Sequence, residues 1–278
     1  MKLACNYYAE TEALAREGRI DIDYFKFPAL GFQMDVLNDL GTFAAFAEKV
    51  SEVKPILLHH LHPGTHDLSS PKFARGFDFA AVNELLRVSG TPGISLHPSM
   101  GKPAVREGRL VQTIAGNLRF LREQFPGLAF VSVENPPDPK FGALVRPEVL
   151  SEIIHEAGCF FLLDISHAWC AARLLGMELW EYLSRLPLEK VYEIHINGWA
   201  EKDGDKMCHV KINEEGYEIL GELLGRCQPE IITIEYGRPN DRIGCGCPVM
   251  RPGEMNRRAM KEIAEQAGRV REMMRKFG

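Results

Sequence analysis

The sequence predicts a single (β/α)8 TIM barrel of the α/β class, and three observations carry that expectation. Eight short apolar or β-branched runs recur along the chain, amphipathic segments separate most of them, and 278 residues suit one barrel of about 250. Strands alternating with helices imply parallel pairing through crossover helices, and eight such units in this length favour closure over an open sheet. A doubly wound open sheet is the structural alternative, but no G-x-G-x-x-G follows the first run, so its dinucleotide-binding version has no support. No Gly/Ser linker or low-complexity tract divides the chain, and residues 1–278 are read as one domain.

The first run is "LACNYY", and the short segment "AETEALAREGRI" after it makes this the weakest strand–helix unit. "DYFKF" and "PILLHHL" follow, then "FDFAAVNELLRVSG", whose apolar residues recur at helical spacing and whose final glycine suits a helix C-cap. "GISLHP" and "AFVSVEN" are the fourth and fifth runs, with the helical "RPEVLSEIIHEAG" leading to the sixth, "FFLLDIS". "VYEIHIN", the helix "NEEGYEILGELLGRC" and "IITIEYG" complete the set.

Polar residues close these runs. The third ends in "LLHHLHPGTH", the fourth in His97, the fifth in Glu134, the sixth in Asp164 and His167, the seventh in His195 and the eighth in Glu235. Each alone has an ordinary explanation: Asp164 as the cap of the next helix, Glu134 as a cap, Glu235 paired with Arg238, His195 as a satisfied core histidine. Six consecutive strand ends of this kind are improbable for residues depleted from buried strands. In a barrel those ends share one face, where clustered carboxylates would repel one another unless cations lie between them. Bound metal is therefore expected, and the tally exceeds the roughly three protein ligands of a mononuclear catalytic site before His209 of "DKMCHVKINEEG" is added. Imidazole and carboxylate donors suit Fe, Mn or Zn. Strand alternation puts His60 and His62 on one face and His59 on the other, without saying which faces inward. His155 is expected at a helix surface and His66 in a loop.

Composition narrows the partners. The formal charge is −5 and the basic clusters "NRRAMK" and "MMRKFG" read as the solvated face of one last helix, so nucleic acid is not favoured. No stretch approaches the ~20 apolar residues of a membrane span, the N-terminus lacks a signal-like apolar region, and a cytoplasmic protein is expected. Seven cysteines without C-x-x-C spacing do not resemble a secreted disulfide framework. Cys245 and Cys247 in "GCGCP" are read as incidental thiols of a Gly-rich turn in preference to a ligand or redox role. Oligomeric state is not legible.

The order of strand-end residues resembles the xylose-isomerase-like TIM barrels that bind several metals, over nearly the whole chain. "RIDIDYFKF", "SVENPP" and "LEKVYEIHINGW" are similar to the multinuclear non-haem iron-dependent oxidative enzymes, which act on cysteines of ribosomally made peptides. "DISHAWCAA" and the His-Pro pairs after the third and fourth strands are similar to the endonuclease IV family, which hydrolyses phosphodiesters with clustered zinc. Both resemblances imply ligands at His97, Glu134, Asp164, His195, His209 and Glu235. His167 stands where endonuclease IV has His and the iron family Asn; for the third strand the iron pattern implies His59 and the endonuclease pattern His62. Both families place an Asp two residues before the loop histidine, where this chain has Met207, with Asp205 as the candidate substitute. That departure implies a third ion weakly held or absent.

The implied cofactors are two or three metal ions, iron favoured, zinc and manganese as alternatives. The implied activity is iron-dependent oxidation of a cysteine-containing peptide or small thiol. A zinc- or manganese-dependent phosphodiesterase and a metal-dependent sugar isomerase or epimerase are the alternatives. The acidic balance counts against phosphodiester binding, and an isomerase leaves half the histidines unused. A metal-binding protein without activity is the residual case. No substrate is legible, and no catalytic residue beyond the ligands.

Overall fold

A computed structural model describes residues 1–28, 34–37, 39–61, 67–202, 205–236 and 255–277. Every run named above forms a strand: β1 (Lys2–Asn6), β2 (Tyr24–Phe27), β3 (Ile56–His59), β4 (Gly93–Leu96), β5 (Phe130–Glu134), β6 (Phe160–Asp164) and β7 (Val191–Ile196). The chain then makes an antiparallel hairpin, β8 (Gly198–Lys202) and β9 (Asp205–Val210), before β10 (Ile231–Ile234). The eight parallel strands close in the order β1-β10-β7-β6-β5-β4-β3-β2, with Lys2–Cys5 pairing Ile231–Ile234 to seal the barrel. The expected closure is thus present and the open sheet is not.

Helices cover the outside. The larger ones are α1 (Ala9–Arg16), α3 (Leu40–Ser51), α4 (Phe79–Ser89), α5 (Leu110–Gln124), α6 (Pro147–Ala157), α7 (Ile165–Leu175), α9 (Glu214–Leu224) and α10 (Arg257–Phe277); α2 (Met34–Leu37) and α8 (Leu179–Ser184) are short. Their buried stripes pack on the outward faces of the strands, as in α6, where Leu150, Ile153, Ile154 and Ala157 follow helical spacing. The expected last helix has such a stripe as well as a solvated face: Ala259, Ile263, Ala267, Val270 and Met274 are buried. No helix among the described residues is long and apolar enough to cross a membrane.

Inside the barrel, side chains stack in tiers set by the two-residue period of the strands. Ala4, Leu57, Phe130 and Ile231 form an apolar plug at the N-terminal end. Gly93 makes room for it, since a Cβ there would lie 2.3 Å from the Phe130 ring. One period along lie Lys26, Ser95, Ser132, Glu193 and Thr233, all fully buried. The next period carries the strand-end residues to the opposite rim.

Candidate metal centre

Glu134, at the end of β5, lies in the middle of the rim. Its Oε2 is 3.2 Å from Nε2 of both His59 and His97; its Oε1 is 3.1 Å from Nδ1 of His167 and 3.7 Å from Nδ1 of His195. Neither oxygen takes part in a well-formed hydrogen bond, although the residue is fully buried. Leaving a buried polar group unsatisfied costs roughly 1–3 kcal/mol, and more when the group is charged. His167 Nδ1 also has the Asn135 carbonyl at 3.0 Å, whereas the Nε2 atoms of His59 and His97, converging on one carboxylate oxygen, are placed as donors to a shared cation would be. His59 Nδ1 and His209 Nε2 are likewise buried without a hydrogen-bond partner.

Asp164 has both of the roles open to it. β6 passes into α7 without a loop, and Asp164 is the N-cap: Oδ1 accepts from the His167 amide at 2.7 Å and from Ser166 Oγ at 2.9 Å. The other oxygen accepts from Asn197 Nδ2 at 2.8 Å and lies 3.9 Å from His195 Nδ1. Asn135 brackets the Asp164 backbone, donating to its carbonyl at 2.9 Å and accepting from its amide at 2.8 Å. Asn197 Oδ1 accepts from the His209 amide at 2.9 Å, so the rim of β6 is tied to the hairpin. Gly198 lets that hairpin close on the barrel, for a Cβ would meet the Lys211 carbonyl at 1.9 Å.

His195 has a carboxylate on each nitrogen. Nδ1 is 2.9 Å from Glu235 Oε2 and Nε2 is 3.1 Å from Glu193 Oε1. Glu193 is itself neutralised from below, where Lys26 Nζ donates to its two oxygens at 2.7 and 2.8 Å and to Ser95 Oγ at 2.7 Å, and Thr233 Oγ1 donates at 2.6 Å. Each nitrogen thus has a carboxylate within hydrogen-bond reach, and a cation taking the place of the Nδ1 proton would meet the same Glu235 oxygen. Glu235 Oε2 also lies 3.4 Å from His209 Nε2.

Burial and neighbouring charge act on each of these groups. Burial alone would raise the carboxyl groups of Glu134 and Glu235, but the histidines around each hold it well below the usual range. Asp164 shifts up, because burial dominates and the charges of Glu235 and Glu134 add to it. Burial keeps His59 low and pushes His97 down to about 4, so both are neutral donors near neutrality. Burial opposes a proton on His167, but the charges of Asp164 and Glu134 outweigh it and hold the ring up at about 9; His195 is raised in the same way by Glu235 and Glu193.

Three donor groups result among the described residues, each with one candidate donor atom per residue within 4.8 Å: Glu134, Asp164, His195 and Glu235; His59, His60 and His97; and His167, Cys208 and His209. Cys208 is disulfide-bonded, so its sulfur is no thiolate donor, and we assign the third group to its imidazoles. The structure brings His59, His97, Glu134, Asp164, His167, His195, His209 and Glu235 to one rim. His62, His66, Cys245 and Cys247 lie outside the described residues, as do the side chains of Asp205 and Met207. His209, expected in a loop, stands instead on β9, with φ +60. The strand parity expected for His59 and His60 also fails, because β3 ends at His59 and His60 has φ +86. His155 is at the surface of α6, 2.9 Å from Glu189. Sequence reasoning misses Lys26, Glu193, Asn135 and Asn197, although a lysine within "DYFKF" and a glutamate within "VYEIHIN" are charges in strands otherwise destined for burial.

Comparison with known proteins agrees with this geometry. Residues 119–239, spanning Glu134 to Glu235, match the family described as RiPP precursor modification enzyme MbnB/TglH/ChrH. A UPF0276 protein of Chromobacterium violaceum is 25% identical over 213 residues, covering 71% of this chain and 75% of that one. Another, from Caulobacter vibrioides, is 27% identical over 216 residues, covering 73% and 72%. Among solved structures, D-psicose 3-epimerase from Clostridium cellulolyticum superposes with a TM-score of 0.66 at 12% identity, over 98% of this chain and 99% of that one. The IOLI protein with a bound zinc atom gives 0.63 at 13% over 100% and 99%, and endonuclease IV from Thermus thermophilus gives 0.56 at 17% over 99% and 100%. At such identities these three show the fold alone. Over residues 119–239 the chain is thus similar to the family of RiPP precursor modification enzymes MbnB/TglH/ChrH, and its fold is that of a closed TIM barrel.

Proposed function

We propose that the chain is a multinuclear metal enzyme, iron-dependent when active, that oxidises a cysteine-containing peptide or a small thiol. One observation carries this reading: the rim holds more donors than one ion uses. The quartet of Glu134, Asp164, His195 and Glu235 exceeds the roughly three protein ligands of a mononuclear catalytic site, and His59, His97, His167 and His209 lie beyond it. The family match supports the substrate class.

When bound, ferrous iron would supply a redox change that zinc lacks, beside a Lewis acidity that both ions share. The chain supplies the placement. Glu134 divides its oxygens between the His59–His97 and the His167–His195 pairs, so it would be shared if ions were bound on both sides. Glu235 instead turns a single oxygen, Oε2, toward both His195 and His209. Glu193 holds the Nε2 proton of His195 and fixes which nitrogen faces the rim. His97 and His209, 21% and 17% exposed while Glu134 and His195 are sealed, mark the side from which a substrate reaches the centre. An isomerase of this fold would need the quartet alone; it is the two further groups that set the readings apart.

The test uses one anaerobic preparation of the full chain. Elemental analysis should give more than one metal equivalent per chain, and a value of one or less at full occupancy would sink the multinuclear reading. Reconstituted with ferrous iron, the protein should consume dioxygen when given a cysteine-containing peptide, and with zinc it should not. Oxygen-independent cleavage of an abasic-site oligonucleotide by the zinc form, abolished by His167→Asn, would instead make it a hydrolase.

A further inference from the structure

We infer that His60 is a metal ligand, completing the ion position outlined by His59, His97 and Oε2 of Glu134. The inference rests on the metal-centre reading above. Its origin is the backbone. Regular continuation of β3 would turn His60 away from His59, since successive strand residues face opposite sides. The amide of His60 does extend the ladder, donating to the Ser95 carbonyl of β4 at 2.9 Å. Its φ of +86, however, lies in the left-handed region that residues with a Cβ rarely adopt, and it swings the ring back to the side of its neighbour. The ring centroid comes to rest 4.2 Å from that of His59 and 4.8 Å from that of His97, and one nitrogen of each of the three falls within 4.8 Å of the others. Glycine would take this conformation without strain. An imidazole held there at a conformational cost, beside two imidazoles already facing a buried carboxylate oxygen, is accounted for by what its ring does at that position.

The ligand class follows from the donors. Three imidazoles favour a divalent transition ion over magnesium or calcium. With Oε2 of Glu134, 3.2 Å from His59 and His97, they would supply four donors, as many as zinc commonly takes, whereas an ion that accepts six would keep two positions for exogenous ligands. The same site would therefore be closed with zinc and open with iron.

Metal-free wild-type protein and His60→Gly are titrated anaerobically with ferrous iron and, separately, with zinc, and the thermal midpoint of each metal-free protein is measured. His60→Gly should melt no lower than wild type without metal, because the strained φ is relieved. It should also hold one equivalent fewer, or bind that equivalent at least tenfold more weakly. His60→Asn, whose short side chain tolerates positive φ, gives the same reading if the glycine variant does not fold. A His60→Gly protein with wild-type stoichiometry and affinity overturns this inference and leaves the multinuclear centre standing. Wild-type protein that takes up no metal overturns both.

Discussion

Asp164 divides its oxygens between the first turn of α7 and the rim, and the two duties separate by substitution. Asn keeps an oxygen for the cap but loses the charge, so metal-free Asp164→Asn should melt close to wild type and yet retain less metal. Asp164→Ala should lose metal too, with a further about 0.5–2 kcal/mol from the missing cap. An Asn variant as rich in metal as wild type would reduce Asp164 to a cap. Lys26 and Glu193 act one tier lower. Lys26→Met leaves Glu193 buried without its cation, and the barrel should lose about 3–5 kcal/mol in chemical denaturation. Adding Glu193→Leu should recover much of that stability, while His195, without its Nε2 acceptor, binds metal about 10–100-fold more weakly. Wild-type metal affinity in the double variant would deny Glu193 a positioning role. Single residues also mark where sequence reading stops. Strand ends point to Glu134, Asp164, His195 and Glu235 because a polar group after an apolar run needs a buried partner. His60 escapes because a period of two holds only while the backbone stays extended, and its φ breaks that condition.

Among the elements, α10 is fastened to the barrel through Arg271, which donates to the Asp21 carbonyl at 2.7 Å and to Asp23 at 2.9 Å. Asp23 also accepts from the Leu3 amide at 2.8 Å, at the start of β1. Burial would raise this carboxyl, but the Leu3 amide and Arg271 outweigh it and hold it below its ordinary 3.8. A depressed carboxyl stabilises the fold above its unfolded value and loses that effect as the pH falls through the folded one. Proteolytic release of α10 should therefore quicken in wild type as the pH falls below the ordinary 3.8, toward the lower value at which the bound carboxyl protonates. In Asp23→Asn release should already be fast at pH 7, with little change on acidification; equal resistance at pH 7 would show that Arg271 does not fasten the helix through Asp23. The strands and main helices are legible because burial on one or both faces writes a period into the sequence. The β8–β9 hairpin is not, since "GWAEK" and "DKMCHV" lie over the rim, outside the core, and carry no such alternation. His209 is consequently assigned to the right stretch and the wrong kind of structure.

At the scale of the molecule, the barrel is graded from an apolar plug, through a buried ion pair, to a rim of imidazoles and carboxylates. Closure depends on β1 pairing with β10, the first and the last strand among the described residues. That pairing sets an order in time. During synthesis His59 and His97 are present long before Asp164 and His195, and Glu235 follows the strand that seals the barrel. A nascent chain thus displays unpaired imidazoles with no carboxylates to select the ion they meet, and any metal caught then would be held by the wrong set of donors. On the proposed reading, the whole donor set would exist only in a chain that has passed residue 235 and closed.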